Sequence, residues 1–425
     1  MVDPIASEAS SAYDAHHKQF TSEGLPKNAA GWLSRAQKVS EIVATTAAQR
    51  DLDNTSPTAE VLLLKSSGLT KILGPVQYGG GGQEWDVAYK VIREVAKGDG
   101  SIGMLLGYHL LWSTTANVVG TEEQKERIQK NIIENNWFIG GAVNPRDADL
   151  VITPEGDELV FNGFKHFNTG GVVSDVTWLE GAIDGHKEHI FALVPSSQLT
   201  FAYNWDSVGL RGSESGSVRI QNVRVAWADA LGWDAKTQKP IEAVLGIPYA
   251  SLLLPTIQNV FNNFYVGIAL GALDWARAYT LKFTRPWPYT DDPKSKAQDE
   301  FHILQKFGSF HAHLAAASAL ADVASTEIAD LYRAHSQNRD VDARKRGEVA
   351  ETIASLKIVA TDTSLRVTSG IFEIVGARAT GRKANADRFW RDIRTHTLHD
   401  PVAYKEREVG RYALLGEIPE PTWYT

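Results

Sequence analysis

The 425-residue sequence predicts an α+β protein, mainly α, in which a small antiparallel β domain lies between two helical regions. The first 137 residues carry helix-type patterning and few strand-like runs. Residues 138–250 hold short runs that alternate in period two, and from about 251 the helical pattern returns to the end of the chain. Elements of one type that cluster along a chain segregate into layers or domains. The expected units are therefore an N-terminal helical domain at 1–137, a middle β domain at 138–250 and a C-terminal helical domain at 251–425.

In the first unit the Ala-, Lys- and Glu-containing stretches Trp32–Ala48 and Gln124–Ile133 read as helices, with Gly and Pro near 74–82 as punctuation. Gly79–Gly82 reads as a loop, because no strand precedes it with Rossmann spacing and no Gly-Lys-Ser/Thr follows. In the second, LVITPEGDELVFNGFKHF offers two strands about a Pro-Glu-Gly-Asp turn, and VTWLEGAI, HIFALVP and SVRIQNVRVAW offer three more. The third shows four long helical segments near 255–283, 300–335, 345–375 and 386–413. On the first of them Gly267 and Gly271 share a face and would let a second helix approach closely.

Composition narrows the chemistry. Forty-three Lys plus Arg against 51 Asp plus Glu gives a net charge of −8 with no basic block, so a nucleic-acid partner is not expected. The absence of cysteine excludes disulfides, a thiolate nucleophile, zinc–cysteine sites and iron–sulfur clusters. Apolar stretches such as Ile247–Ile257 and Val266–Leu273 fall short of the ~20 residues that span a bilayer, so no membrane segment is expected. The start MVDPIASEASSAYDAHHKQF lacks the basic and apolar regions of a signal peptide, and a cytoplasmic protein is expected.

Three local patterns can carry function. RTHTLHDP sets His396 and His399 three apart on one helix face, with Asp400 next and Pro401 ending or kinking the helix. A metal would need a third ligand, and no Glu-x-x-His partner is visible, so none is expected. The histidines can serve as base or proton donor beside a cofactor, or be structural. FNGFKHFNTGG ends in Asn168, Thr169 and paired glycines, which present amides and a hydroxyl to a planar ligand or simply end a hairpin. Arg285, before Pro286 and Trp287, is either a bidentate phosphate donor or a surface arginine.

Seven segments in register carry more weight than any of these alone. They are LGPVQYGGGGQEW (73–85), VIREVAKGDGSIGMLLGYH (91–109), NNWFIGGAVN (135–144), FNGFKHFNTGGVVSD (161–175), NWDSVGLRGSESGSV (204–218), SGIFEIVGARAT (369–380) and DRFWRDIRTHTLHDPVAYK (387–405). From about residue 35 onward the chain thereby resembles the acyl-CoA dehydrogenase superfamily, most closely its reduced-flavin-dependent monooxygenase branch, the desulfurisation family of dibenzothiophene monooxygenases. The resemblance implies an N-terminal α domain, a middle β domain and a C-terminal four-helix bundle, assembled as a homotetramer with flavin near a subunit interface. It also makes Gly79–Gly82 a family turn between helices.

The activity implied is a two-component monooxygenase. A separate flavin reductase supplies reduced FMN, O2 adds to form a C4a-(hydro)peroxyflavin, and one oxygen passes to a sulfur or nitrogen atom of an apolar or aromatic substrate. An apolar, partly lidded pocket would exclude water, with the loop Pro286–Lys296 as lid or as plain surface connection. By the resemblance His399 matches the histidine that manages the peroxide's proton, and Asp400 and His396 orient or tune it. Thr169 takes the place of a serine at the flavin's reactive edge, Asn168 and Phe167 flank it, and Tyr108 and Trp205 match pocket aromatics. Arg285 matches the flavin-phosphate arginine, and Gly376 meets the cofactor from a neighbouring subunit. Met104 and Gly141 depart from the branch, which has histidine and asparagine there, so the substrate pocket is expected to be less polar or larger.

The alternative within the superfamily is an acyl-CoA dehydrogenase or oxidase that uses FAD with Asp400 as base. In that branch a Glu usually stands near the place of Asp400, and an aromatic residue where this chain has His399. A non-catalytic homologue that uses the bundle only to oligomerise is the third reading.

Overall fold

The computed structural model describes residues 12–144, 149–183 and 185–420; the first eleven residues of the N-terminal stretch read for a targeting signal lie outside these. The N-terminal region folds as seven α-helices among the described residues: α1 (Asp14–Glu23), α2 (Ala29–Ala44), α3 (Ala47–Asp53), α4 (Thr58–Ser67), α5 (Trp85–Gly98), α6 (Gly100–Val119) and α7 (Glu122–Glu134). Their starts follow capping chemistry. Asn28 accepts the Gly31 N–H ahead of α2, Asp99 accepts those of Ser101 and Ile102 ahead of α6, and Thr121 with Gln124 forms a capping box on α7. Gly79–Gly82 is the predicted loop, leading into α5.

Nine strands follow among the described residues: β1 (Ile139–Ala142), β2 (Leu150–Glu155), β3 (Glu158–Lys165), β4 (Val176–Ala182), β5 (His189–Pro195), β6 (Thr200–Phe201), β7 (Val218–Ala226), β8 (Trp233–Asp234) and β9 (Lys239–Pro240). They form sheets of order β1-β4-β5 and β2-β3-β7-β6 and a short β8-β9 pair. β2 and β3 make the expected hairpin, with Glu155 opposite Glu158. One pairing departs from the antiparallel expectation: β1 runs parallel to β4, with Gly141 opposite Trp178. The β2–β3 hairpin and the loop to residue 175 intervene between them, and such a long excursion permits the parallel return that a tight turn forbids.

The C-terminal region opens with the single turn α8 (Glu242–Leu245) and continues as α9 (Leu253–Phe283), α10 (Phe301–His335), α11 (Ala343–Val375), α12 (Asp387–His396) and α13 (Val402–Leu415). The fourth predicted segment is thus two helices. Pro401 supplies no N–H and disfavours helix at the residue before it, so the helix stops and restarts around residues 397–401.

One apolar core joins the N- and C-terminal helices and takes in Ile139, Val176, Trp178 and Phe191 of β1, β4 and β5, while the β sheets also have a second core of their own. The junction is α9, which lies against α5, α6 and α11. Gly267 and Gly271 have the close-approach role expected of them: a Cβ at either would run into α5 backbone, at Arg93 or Lys97. Each large apolar side chain buried there, such as Phe264 or Ile268, stabilises the joint by ~1.5–3 kcal/mol. Among the described residues no helix is long and apolar enough to cross a membrane.

Candidate functional site

Helix α12 reads DRFWRDIRTH, and its periodicity buries Phe389, Asp392, Ile393 and His396 on one face. His396 therefore enters the core on the last turn, while His399 and Asp400 sit in the break before α13. The backbone N–H of His399 donates to the His396 carbonyl at 2.9 Å. That turn stacks the two imidazoles 5.2 Å apart with an interplanar angle of 8°.

Their surroundings differ. The ring of His396 is buried, its Nδ1 2.7 Å from the Tyr265 hydroxyl and its Nε2 3.1 Å from the Tyr108 hydroxyl. Burial, aided by the charges of His399 and Lys357, holds its pKa well below the usual imidazole value and keeps it neutral. The side chain of His399 is 53% exposed; its Nδ1 lies 3.4 Å from Asp400 Oδ1, and its Nε2 has no partner among the described residues. Phe261 packs against both rings at 4.5 and 4.9 Å between centroids.

Behind Asp400 stands Lys357, fully buried on α11. Its ammonium donates to Asp400 Oδ1 at 3.0 Å and to the Tyr265 hydroxyl at 3.2 Å. Burial lowers the lysine's pKa while Asp400 raises it. For Asp400, burial pushes the carboxyl up, but the hydrogen bond with His399 and the charge of Lys357 outweigh it and hold the group well below the ordinary carboxylate range. Asp400 is accordingly ionised, paired and a weak base.

From His396 the wall continues through α6. Burial raises the Tyr108 hydroxyl far above its ordinary value, with the Asp400 charge adding to the effect, so Tyr108 stays protonated. Its ring packs on Phe261 at 5.7 Å and meets Trp112, one helical turn on, at 6.1 Å. Met104 is buried one turn before it. Trp112 accounts for Gly141: a Cβ on that residue would stand 2.5 Å from the indole. At this point the pocket wall is the Trp112 indole, which fills the space beside Gly141.

Gly141 bridges to Thr169, whose hydroxyl lies 2.9 Å from Ser215 Oγ, itself 2.8 Å from Ser213 Oγ. Asn168 is 1% exposed, and both its amide atoms lack a hydrogen-bond partner. Phe167 is held at φ +58°, unusual for a bulky residue, and stays 63% exposed with its ring 6.3 Å from Trp205. Trp205 Nε1 donates to the Leu210 carbonyl at 2.9 Å, and the Leu210 N–H donates to Asp392 on α12 at 2.6 Å. The aromatic loop is thereby tied to the helix that carries the histidines.

The fold thus brings Tyr108, Gly141, Phe167, Asn168, Thr169, Trp205, His396, His399 and Asp400 into one connected wall. Arg285 and Gly376 stand elsewhere. Thr284 donates to the Val375 carbonyl at 3.1 Å, which places both residues at the far end of α9, about 30 Å from Tyr265 at ~1.5 Å per helical residue. The loop 286–296, read as a lid or a plain surface connection, begins at that end too, and the Trp287 N–H donates to Glu300 at 2.8 Å across it. Sequence reading missed Lys357, Tyr265, Phe261, Trp112, Ser213 and Ser215. Lys357 left one signal, a lone cation in the apolar run SLKIVA; the serines left none.

Family models for the acyl-CoA dehydrogenase N-terminal and C-terminal domains match residues 34–136 and 260–403. A dibenzothiophene monooxygenase of Mycolicibacterium goodii is 39% identical over 390 residues, covering 89% of this chain and 92% of that protein. Methanesulfinate monooxygenase from Pseudomonas fluorescens superposes with a TM-score of 0.86 at 32% identity, covering 92% of this chain and 99% of that one. A complex of TdsC from Paenibacillus sp. A11-2 with FMN and indole superposes at 0.85 with 33% identity, covering 93% and 99%.

Proposed function

Since the chain belongs to the acyl-CoA dehydrogenase family, and its relatives over nearly the whole length are monooxygenases, we propose that it oxygenates a sulfur or nitrogen atom of an apolar or aromatic substrate. It is a flavin-dependent monooxygenase with FMN as cofactor. The residues present fit that group. The orphaned Asn168 amide and the Thr169–Ser215 hydroxyl pair suit a flavin's polar edge, and Phe167 and Trp205 offer aromatic surface to its rings. When bound, reduced FMN supplies two electrons that activate O2, so that one oxygen atom joins the substrate's lone pair and the other leaves as water.

The observation that carries the reading is the unequal pair of stacked histidines. His399 presents an unbonded Nε2 at the open side, where it can hold or release a proton, while Asp400 fixes Nδ1. His396 is sealed in and positions Tyr108. The apolar side chains of Phe261, Trp112 and Met104 exclude water from the interior side. Asp400, locked to Lys357, is poorly suited to take an α-proton, which disfavours the dehydrogenase alternative with FAD. Arg285 and Gly376 serve the flavin of a neighbouring copy, in a homotetramer, because neither reaches the His399 of its own chain. A separate flavin reductase in the cytoplasm delivers the reduced cofactor.

The test is to mix the protein with reduced FMN, isotopically heavy O2 and a panel of aromatic and alkyl sulfides, amines and indole. One heavy oxygen atom in the product at S or N is the expected result. Hydrogen peroxide alone across the panel, together with oxidation of an acyl-CoA, would move the chain to the dehydrogenases.

A further inference from the structure

Lys357 has no assigned part in this chemistry, yet it touches both histidine arms. Its ammonium is buried beneath the helix break, over the Tyr265 and Phe261 rings at 5.1 and 5.7 Å. One hydrogen bond goes to Asp400, the partner of His399, and one to Tyr265, the partner of His396. Lys405, the other buried cation whose charge reaches Lys357, is bonded to Glu408 instead. Such a group costs free energy to bury, and its two directed bonds indicate what it does there.

The Tyr265 hydroxyl has a choice of acceptors, His396 Nδ1 at 2.7 Å or the His396 carbonyl at 3.1 Å. If its hydrogen goes to the carbonyl, Nδ1 must carry the ring proton, and Nε2 then accepts from Tyr108. If it goes to Nδ1, the ring proton sits on Nε2 and is donated to the Tyr108 oxygen at 3.1 Å. Only in the second arrangement is the Tyr108 hydrogen released for another acceptor. A cationic N–H bound to the Tyr265 oxygen makes that hydroxyl a stronger donor and takes one of its two lone pairs, leaving a weaker acceptor for Nδ1–H.

We propose that Lys357 is a positioning residue that sets the proton arrangement of both histidines: through Tyr265 it fixes His396 as the Nε2–H tautomer and frees the Tyr108 hydroxyl, and through Asp400 it leaves His399 Nε2 as the open nitrogen. The buried, neutral state of His396 agrees with this, because only a neutral ring has a bare Nδ1 to accept the Tyr265 hydrogen. The use of the freed hydroxyl, as a hydrogen-bond donor to flavin or substrate, rests on the monooxygenase reading; the tautomer does not.

The experiment uses the full chain without flavin and with nitrogen-labelled histidine, the His396 signals being assigned by their loss in His396→Gln. Long-range proton–nitrogen correlation separates a protonated from a bare ring nitrogen. Wild type is expected to show His396 protonated at Nε2 and bare at Nδ1. Lys357→Met is expected to convert a measurable share to the Nδ1–H form, and Lys357→Arg to restore the wild-type pattern. Lys357→Gln, a neutral donor, should shift the pattern the same way by less, and it serves if the methionine variant fails to fold. A wild-type His396 protonated at Nδ1, or a Met or Gln variant identical to wild type, overturns the proposal. With reduced FMN, O2 and substrate added, Lys357→Met should lower product per reduced flavin about tenfold. A wild type that shows the expected tautomer but transfers no oxygen would sink the monooxygenase reading and leave the tautomer assignment standing.

Discussion

Helix α9 meets two quite different environments. Near its N-terminal half Phe261 and Tyr265 face the helix break, where His396, Tyr108, Lys357 and Asp400 are bonded to one another and only His399 opens outward. At the C-terminal end Arg285 is exposed and makes no ion pair among the described residues, and Leu281, Phe283, Trp287 and Tyr289 are exposed as well. The side-chain bonds of the first end are all made within one chain. The second presents an exposed cation and exposed apolar side chains, as the proposed contact with the flavin of a neighbouring copy requires. Reaction chemistry should therefore be decided at the first end and cofactor retention at the second.

The strongest challenge to that division is His399→Ala. Product formation is expected to fall ~10²–10⁴-fold while hydrogen peroxide release continues, with FMN affinity nearly unchanged; equal loss of FMN binding would erase the distinction. Asp392 tests how tightly the near end is sealed. Burial pushes its carboxyl up to about 7, against the Arg388 charge and the Leu210 N–H, so the folded chain prefers it protonated. The stability this contributes is full below the unfolded value near 3.8 and is lost as pH rises through about 7. Denaturant titration of Asp392→Asn against wild type should show a difference that grows in the variant's favour from pH 5 to pH 8, by a few kcal/mol.

Gly141→Asn probes the same end by volume. The branch's asparagine must here displace the Trp112 indole, at a cost of about 1–3 kcal/mol in unfolding free energy. In a Trp112→Ala background the cost should largely vanish. The mildest effect belongs to the far end: Arg285→Ala should raise the FMN dissociation constant about tenfold, ~1.4 kcal/mol, and leave product per flavin consumed intact at saturation. An unchanged dissociation constant would remove Arg285 from the cofactor site.

What the sequence disclosed and what it withheld follow the same physical line. Period-two runs and the Pro-Glu-Gly-Asp turn placed β2, β3, β4, β5 and β7, because alternation along a strand is a local property. The parallel β1–β4 pairing was hidden, since it joins Gly141 to Trp178 across the β2–β3 hairpin. At the site, His396, His399 and Asp400 declared themselves as neighbours in one motif, and Thr169 through its resemblance. Lys357 and Tyr265 lie 92 positions apart and meet only through the packing of α11 on α9, so no local pattern could pair them. The neighbour of Gly141 was hidden for a related reason: the residue that fills the space beside it, Trp112, is on another element.

The shared core of the two helical regions has a consequence during synthesis. Helix α5 ends at Gly98 and its chief partner α9 begins at Leu253, so about 155 residues must leave the ribosome before α9 can cover the face of α5 that α2 and α6 leave open, roughly 8–30 s at ~5–20 residues per second. The β sheets, with an apolar core of their own, can be finished in that interval. A nascent chain would then carry a folded middle and a waiting, sticky beginning, and its yield in a cell would depend on what shelters α5 and α6 until α9 arrives.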